Sequence, residues 1–182
     1  MIYTFVSLPT VGLIVGVLLI ALHGFALLRP RYVRPWLTSL PRSKAIGTVF
    51  LALDTIWAFL LIYFMDLGEF SHLRGKLLLV IPVAAVLTFK FVDEFLAVRA
   101  LGILLLLAAE PVLEATFLRP ESSRLLLVTL AYAWAVLGMF WVGMPYLMRD
   151  QIAWLQKSDS RWRLACEAGL VYGIAVLAAA LV

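Results

Sequence analysis

Six times the chain runs for about twenty residues with almost no charge. About twenty helical residues, at about 1.5 Å each, cross the roughly 30 Å hydrocarbon layer of a bilayer. The runs cover residues 10–28, 45–65, 77–97, 100–118, 125–148 and 164–182. They predict an all-α fold, a polytopic bundle of six transmembrane helices joined by short loops, with residues 1–182 forming a single integral membrane domain. Composition agrees: 64% of the 182 residues are hydrophobic and 14% charged, against about 45–50% and about 25% in an ordinary soluble domain. The mean hydropathy is +1.03. A soluble protein of this size has too little interior to hide so much apolar surface. The same surplus excludes intrinsic disorder. A disulfide scaffold is excluded because Cys166 is the single cysteine.

Residues 1–9 carry no Lys or Arg, so the basic region of a secretory signal peptide is missing and the first run is expected to be a retained span. The net charge of +4 and pI near 9.5 do not point to nucleic acid, because the basic residues lie between the apolar runs. The first, third and fifth connections hold Arg29, Arg31, Arg34, Arg42, Lys44, Lys90, Arg99, Arg149, Lys157, Arg161 and Arg163. The second and fourth hold Arg74, Lys76, Arg119 and Arg124. Short cytoplasmic loops collect Lys and Arg, so the expected orientation has both termini outside, in a bacterial-type inner (cytoplasmic) membrane.

Lys76 to Leu118 as one helix would be about 65 Å long, roughly twice the membrane. The segment must turn, yet residues 90–101 contain no Gly, Pro, Asn or Ser. The expected turn lies between Ala97 and Gly102, with Lys90 snorkelling to the interface. In the first connection Pro30, Pro35 and Pro41 argue against one continuous helix. Tyr32 and Trp36 there, and Trp154 and Trp162 in the fifth connection, suit segments at headgroup level facing anionic lipid. Three-helix halves would permit an inverted repeat, but the positions of charge, Pro and Gly show none.

Charges inside a bilayer are costly, about 2.5–3.5 kcal/mol at a helix centre on insertion scales, so each needs a reason. Asp54 stands near the middle of the second span. Glu110 is expected at a similar depth in the fourth, with Glu114 one turn later on the same face. Pro111 between them frees backbone carbonyls that could face a polar cavity. Two carboxylates one turn apart repel when both are ionised, which favours a shared proton or a bound cation. These three are the candidate ion or proton site. The alternative is structural, each acid pairing with Arg119, Arg124, Thr129, Tyr132 or freed carbonyls, or Glu114 standing solvated at the interface.

A second cluster is the cytoplasmic group Lys90, Asp93, Glu94 and Arg99. On a continuous helix Lys90 would meet Asp93 and Glu94 at i,i+3 and i,i+4. It reads as a salt-bridged helix end or as a gate or docking surface. Histidine positions exclude several chemistries. His23 and His72 fall at opposite depths and cannot both ligate one haem, and with one cysteine and no H-E-x-x-H a zinc site would need an unusual carboxylate set. No G-x-S-x-G and no phosphate-binding loop is present. No metal, catalytic residue or cofactor is predicted, and an enzyme is the least favoured class.

Packing signals are the clearest. Gly12 and Gly16 form G-x-x-x-G in the first span, and Gly169 and Gly173 repeat it in the sixth; small residues let membrane helices approach closely. Whether these faces close the bundle or hold another subunit stays open. The fifth run carries Tyr132, Trp134, Phe140, Trp141 and Tyr146, which serve as core, lipid contact or an apolar cradle, and Pro145 kinks or ends it. Two functions follow. One is a non-catalytic subunit or partner of a larger membrane complex, bound to other membrane subunits or to copies of itself in the lipid bilayer. The other is a small proton- or cation-coupled transporter or channel using Asp54, Glu110 and Glu114.

Overall fold

The computed structural model describes residues 7–92 and 94–181, and these form helices joined by short turns, with no strand among them. Helix α1 is Leu8–Leu28, α2 Pro30–Ser39, α3 Lys44–Phe64, α4 Arg74–Phe91, α5 Leu96–Thr116, α6 Arg124–Gly143, α7 Tyr146–Gln156 and α8 Asp159–Leu181. Short 3-10 turns at Leu40–Arg42 and Gly68–Leu73 precede α3 and α4. Six of these helices, α1, α3, α4 with its preceding turn, α5, α6 and α8, are long and apolar enough to cross a membrane. Side-chain caps start two of them. Ser7 Oγ accepts from the Thr10 N–H at 3.3 Å, and Ser43 Oγ accepts from the Ile46 N–H at 3.3 Å, satisfying donors the helix leaves open.

Helix α1 packs along α8, α5 along α6 and α3, and α3 along α4. The α1–α8 pair is antiparallel, since Gly12 faces Ala180, Gly16 faces Leu177 and Gly173 faces Leu19 and Ile20. At Gly16 an added Cβ would stand 2.9 Å from the Leu177 backbone nitrogen, so only glycine allows this approach. The two G-x-x-x-G faces therefore close on each other within one chain. A second close crossing joins α5 to α6, where a Cβ on Gly102 would meet the Gly138 carbonyl at 2.9 Å. The main core lies between these pairs and combines Val15 and Leu19 of α1, Val112 of α5, Ala131 of α6 and Val176 of α8. Tyr172 Oη ties α8 to α6 by donating to the Leu126 carbonyl at 2.7 Å.

The basic connections gather at one end. Arg34 of α2 pairs with Asp159 of α8 at 2.7 Å. Thr38 Oγ1 donates to Gln156 of α7 at 3.0 Å. Leu40 packs with Ala97, Val98, Met148 and Ile152.

Several boundaries differ from the sequence expectation. The chain turns between the end of α4 at Phe91 and the start of α5 at Leu96, not between Ala97 and Gly102, and Phe95 just before α5 takes a left-handed conformation (φ 57°, ψ 29°). Gly102 is spent on the α5–α6 crossing instead. The fifth span stops at Gly143 rather than Met148, since Pro145 opens a separate helix, α7. α8 begins at Asp159, ahead of the expected residue 164, and its first turn carries Trp162, buried at 2% exposure. In the first connection α2 runs through Pro35. Pro30 sits at its first position, where no N–H is needed, and only Pro35 removes a bond.

Candidate functional site

Two of the three intramembrane acids share a groove. Glu110 and Glu114 follow one another along one face of α5, and with Met65 at the C-terminal cap of α3, Leu106, Ala109 and Leu113 of α5, Phe117 just past its end, and Ala135 of α6 they line a cavity of about 550 Å³. Pro111 stands inside α5, and its missing N–H leaves the carbonyl one turn earlier without its usual helical donor. The walls are otherwise apolar. Glu114 Oε1 is shut off from solvent and has no hydrogen-bond partner.

None of the basic or hydroxyl side chains expected to pair with these acids does so among the described residues. Arg124 reaches the Thr116 carbonyl at 3.5 Å, and Thr129 Oγ1 donates to the Leu125 carbonyl at 2.8 Å. Arg119 and Tyr132 are exposed. Among the described residues no cation forms an ion pair with Glu110 or Glu114. The arrangement is a pair of carboxylates on an apolar wall, which can hold a proton between them or receive a cation from the groove.

Asp54 lies elsewhere. It is 3% exposed on α3, and neither carboxylate oxygen has a hydrogen-bond partner. Gly47 of α3 abuts Leu96 and Ala97 of α5, and Leu51 packs with Leu96 and Ala100, so the two helices run side by side in the same direction. From that register Asp54 stands level with about residue 104, and Glu110 lies about 9 Å further along the helix axis. The matched depth expected from the sequence is thus not found, because α5 begins earlier than expected and shifts its acids away from the basic end. Asp54 is a separate, solitary buried acid.

The cluster Lys90, Asp93, Glu94 and Arg99 does not form one helical ladder. α4 ends at Phe91, so the i,i+4 spacing of Lys90 and Glu94 never lies on one helix. Lys90 Nζ sits 5.7 Å from the Phe91 ring centroid, and Glu94 is exposed in the turn. Arg99 points to α6, where it donates to the Val142 carbonyl at 2.9 Å. Asp93 lies outside the described residues.

Gly12, Gly16, Gly169 and Gly173 serve the α1–α8 seam, and the His23 ring fills the space a Cβ on Gly169 would need. His23 Nδ1 is 2.9 Å from the Leu19 carbonyl.

Sequence reasoning missed the Gly102–Gly138 crossing, where each glycine stands alone without a G-x-x-x-G partner. It also missed the groove wall supplied by Met65 and Ala135, for which apolar sequence carries no signal. No protein-family model matches the chain, nor does any curated protein or solved structure.

Proposed function

We propose that the chain is a small membrane transport protein that binds a proton or a cation at Glu110 and Glu114. The observation that carries this reading is the cavity of about 550 Å³ lined by both carboxylates, with no cationic side chain paired to either among the described residues. Intramembrane acids are costly and are kept where they bind or relay charge. An apolar wall with two carboxylates suits a proton or a cation with apolar substituents, since the acids supply charge and the wall supplies contact. Asp54, buried and unpartnered about 9 Å away along the axis, is a third acid, outside the groove and nearer the basic end.

The test is flux into proteoliposomes of bacterial inner-membrane lipids loaded with a pH-sensitive dye, driven by a potassium diffusion potential. The wild-type chain should carry protons above the empty-vesicle rate. The double variant Glu110→Gln, Glu114→Gln should fall to the empty-vesicle rate with its thermal midpoint unchanged. Equal flux in both would remove the assignment.

A second reading, a subunit of a larger membrane complex, is favoured by one observation: none of the residues of α4 is buried, and α3 is the helix it chiefly packs on. The closure of the glycine faces on each other takes away the contact first considered for a partner. Under this reading α4 is the contact, and the mass of the native particle in mild detergent should include a second chain that a bulky α4 substitution releases.

A further inference from the structure

At the basic end α1 stops at Leu28, a single residue, Arg29, makes the joint, and α2 departs at Pro30. The first turn of α8 closes the angle from below. The space between is a cavity of about 550 Å³, whose wall includes Arg31, Arg34 and Arg163, with Asp159, Trp162 and Leu27. Three guanidinium groups against one carboxylate leave a net positive charge of two at the wall.

A buried tryptophan anchors the wall. Trp162 is 2% exposed, and its indole Nε1 donates to the Ala26 carbonyl at 3.2 Å. The Arg34 guanidinium lies 5.0 Å from the centroid of that ring and donates from one terminal nitrogen to Asp159 Oδ1 at 2.7 Å. Its Nε–H is hidden from water and has no partner. On the same wall the Arg31 and Arg163 guanidinium groups have no ion pair among the described residues, and the natural acceptor for them is an oxyanion. Planar guanidinium forks match phosphate in geometry as well as charge.

We infer that this elbow binds the phosphate of an anionic phospholipid headgroup. Lipid is favoured over a soluble phosphate by the apolar part of the wall at Leu27, Pro30 and Pro35. The strongly exposed Leu28, Tyr32 and Trp36 beside it point the same way, as such side chains suit the boundary between headgroups and acyl chains. The site stands apart from the carboxylate groove and does not depend on the transport reading.

The test is lipid retention by the purified full chain in mild detergent, read by native mass spectrometry. Phosphatidylglycerol and phosphatidylcholine of identical acyl chains are offered in equal amounts. Wild type should retain phosphatidylglycerol about tenfold more than phosphatidylcholine, as expected for a few basic side chains near a headgroup. Arg31→Gln with Arg163→Gln should abolish most of that preference; neither side chain has a hydrogen bond or ion pair among the described residues, so the fold is expected to survive, as an unchanged thermal midpoint would verify. A control pair at the same end, Arg42→Gln with Lys157→Gln, should keep it. Equal loss in the control pair would mean diffuse surface attraction and overturn the site, as would full retention in the first pair. Displacement of the lipid by millimolar inorganic phosphate would assign the elbow to a free anion and overturn the lipid claim.

Discussion

The seam between α1 and α8 and the flank formed by α4 are all built from helices apolar enough to cross a membrane, yet they do opposite things. Along the seam Gly12, Gly16, Gly169 and Gly173 bring two helices close enough that an added Cβ would collide with the neighbour. On the flank, no residue of α4 is buried. In water this difference would appear as a polar outer face on α4. In a bilayer lipid tails are as apolar as leucine, so hydropathy does not separate a face packed on protein from one facing lipid. Small residues separate them, because close approach of backbones is what dispersion rewards in the absence of a hydrophobic driving force between helices.

Substitutions ranked by expected effect test that contrast. Gly173→Leu should cost the most, about 3 kcal/mol, the upper range for forcing volume into a packed site. A Cβ there already meets Leu19 at 2.9 Å and the Ile20 backbone nitrogen at 3.1 Å. The thermal midpoint in detergent reads it, and an unchanged midpoint would mean the seam is not packed as described. Asp54→Leu should act in the opposite direction, raising stability by about 1–2 kcal/mol, because it removes a buried group with neither oxygen partnered. A loss of stability would reveal a partner for that acid. Val83→Leu on α4 should be the smallest, within about 0.5 kcal/mol, since Val83 is exposed. A large loss there, appearing only when a second chain co-purifies, would turn the flank into an interface and favour the subunit reading.

The same physics explains which parts of the molecule were legible in the sequence. The six spans and the alternation of basic connections follow from run length and charge, which lipid and water enforce directly. The glycine motifs were legible as close-approach faces, but local spacing carries nothing about which face meets which. That Gly12 meets Ala180 depends on tertiary packing between opposite ends of the chain. The turn before α5 left no mark because the left-handed residue there is Phe95 rather than Gly or Asn. Misplacing that turn shifted the register of α5, which is why Asp54 and Glu110 were expected at one depth and stand apart. The pairing of Glu110 with Glu114 depended only on one helical turn and is preserved. The elbow at Arg34 was legible as basic and aromatic sequence near headgroups, while the meeting of Arg34 with Asp159 and Trp162 depended on α2 and α8 coming together.

The groove on α5 is the centre of the functional account, and equilibrium binding of a lipophilic cation tests it most directly. Tetraphenylphosphonium titrated into the purified chain in mild detergent should bind saturably at one site per chain. The Glu110→Gln, Glu114→Gln double variant should weaken that binding at least about tenfold, or about 1.4 kcal/mol, while Asp54→Asn leaves it within a factor of about two, or about 0.4 kcal/mol. Binding that does not saturate, or that is as tight in the double variant as in wild type, would contradict the assignment of Glu110 and Glu114 as a cation site.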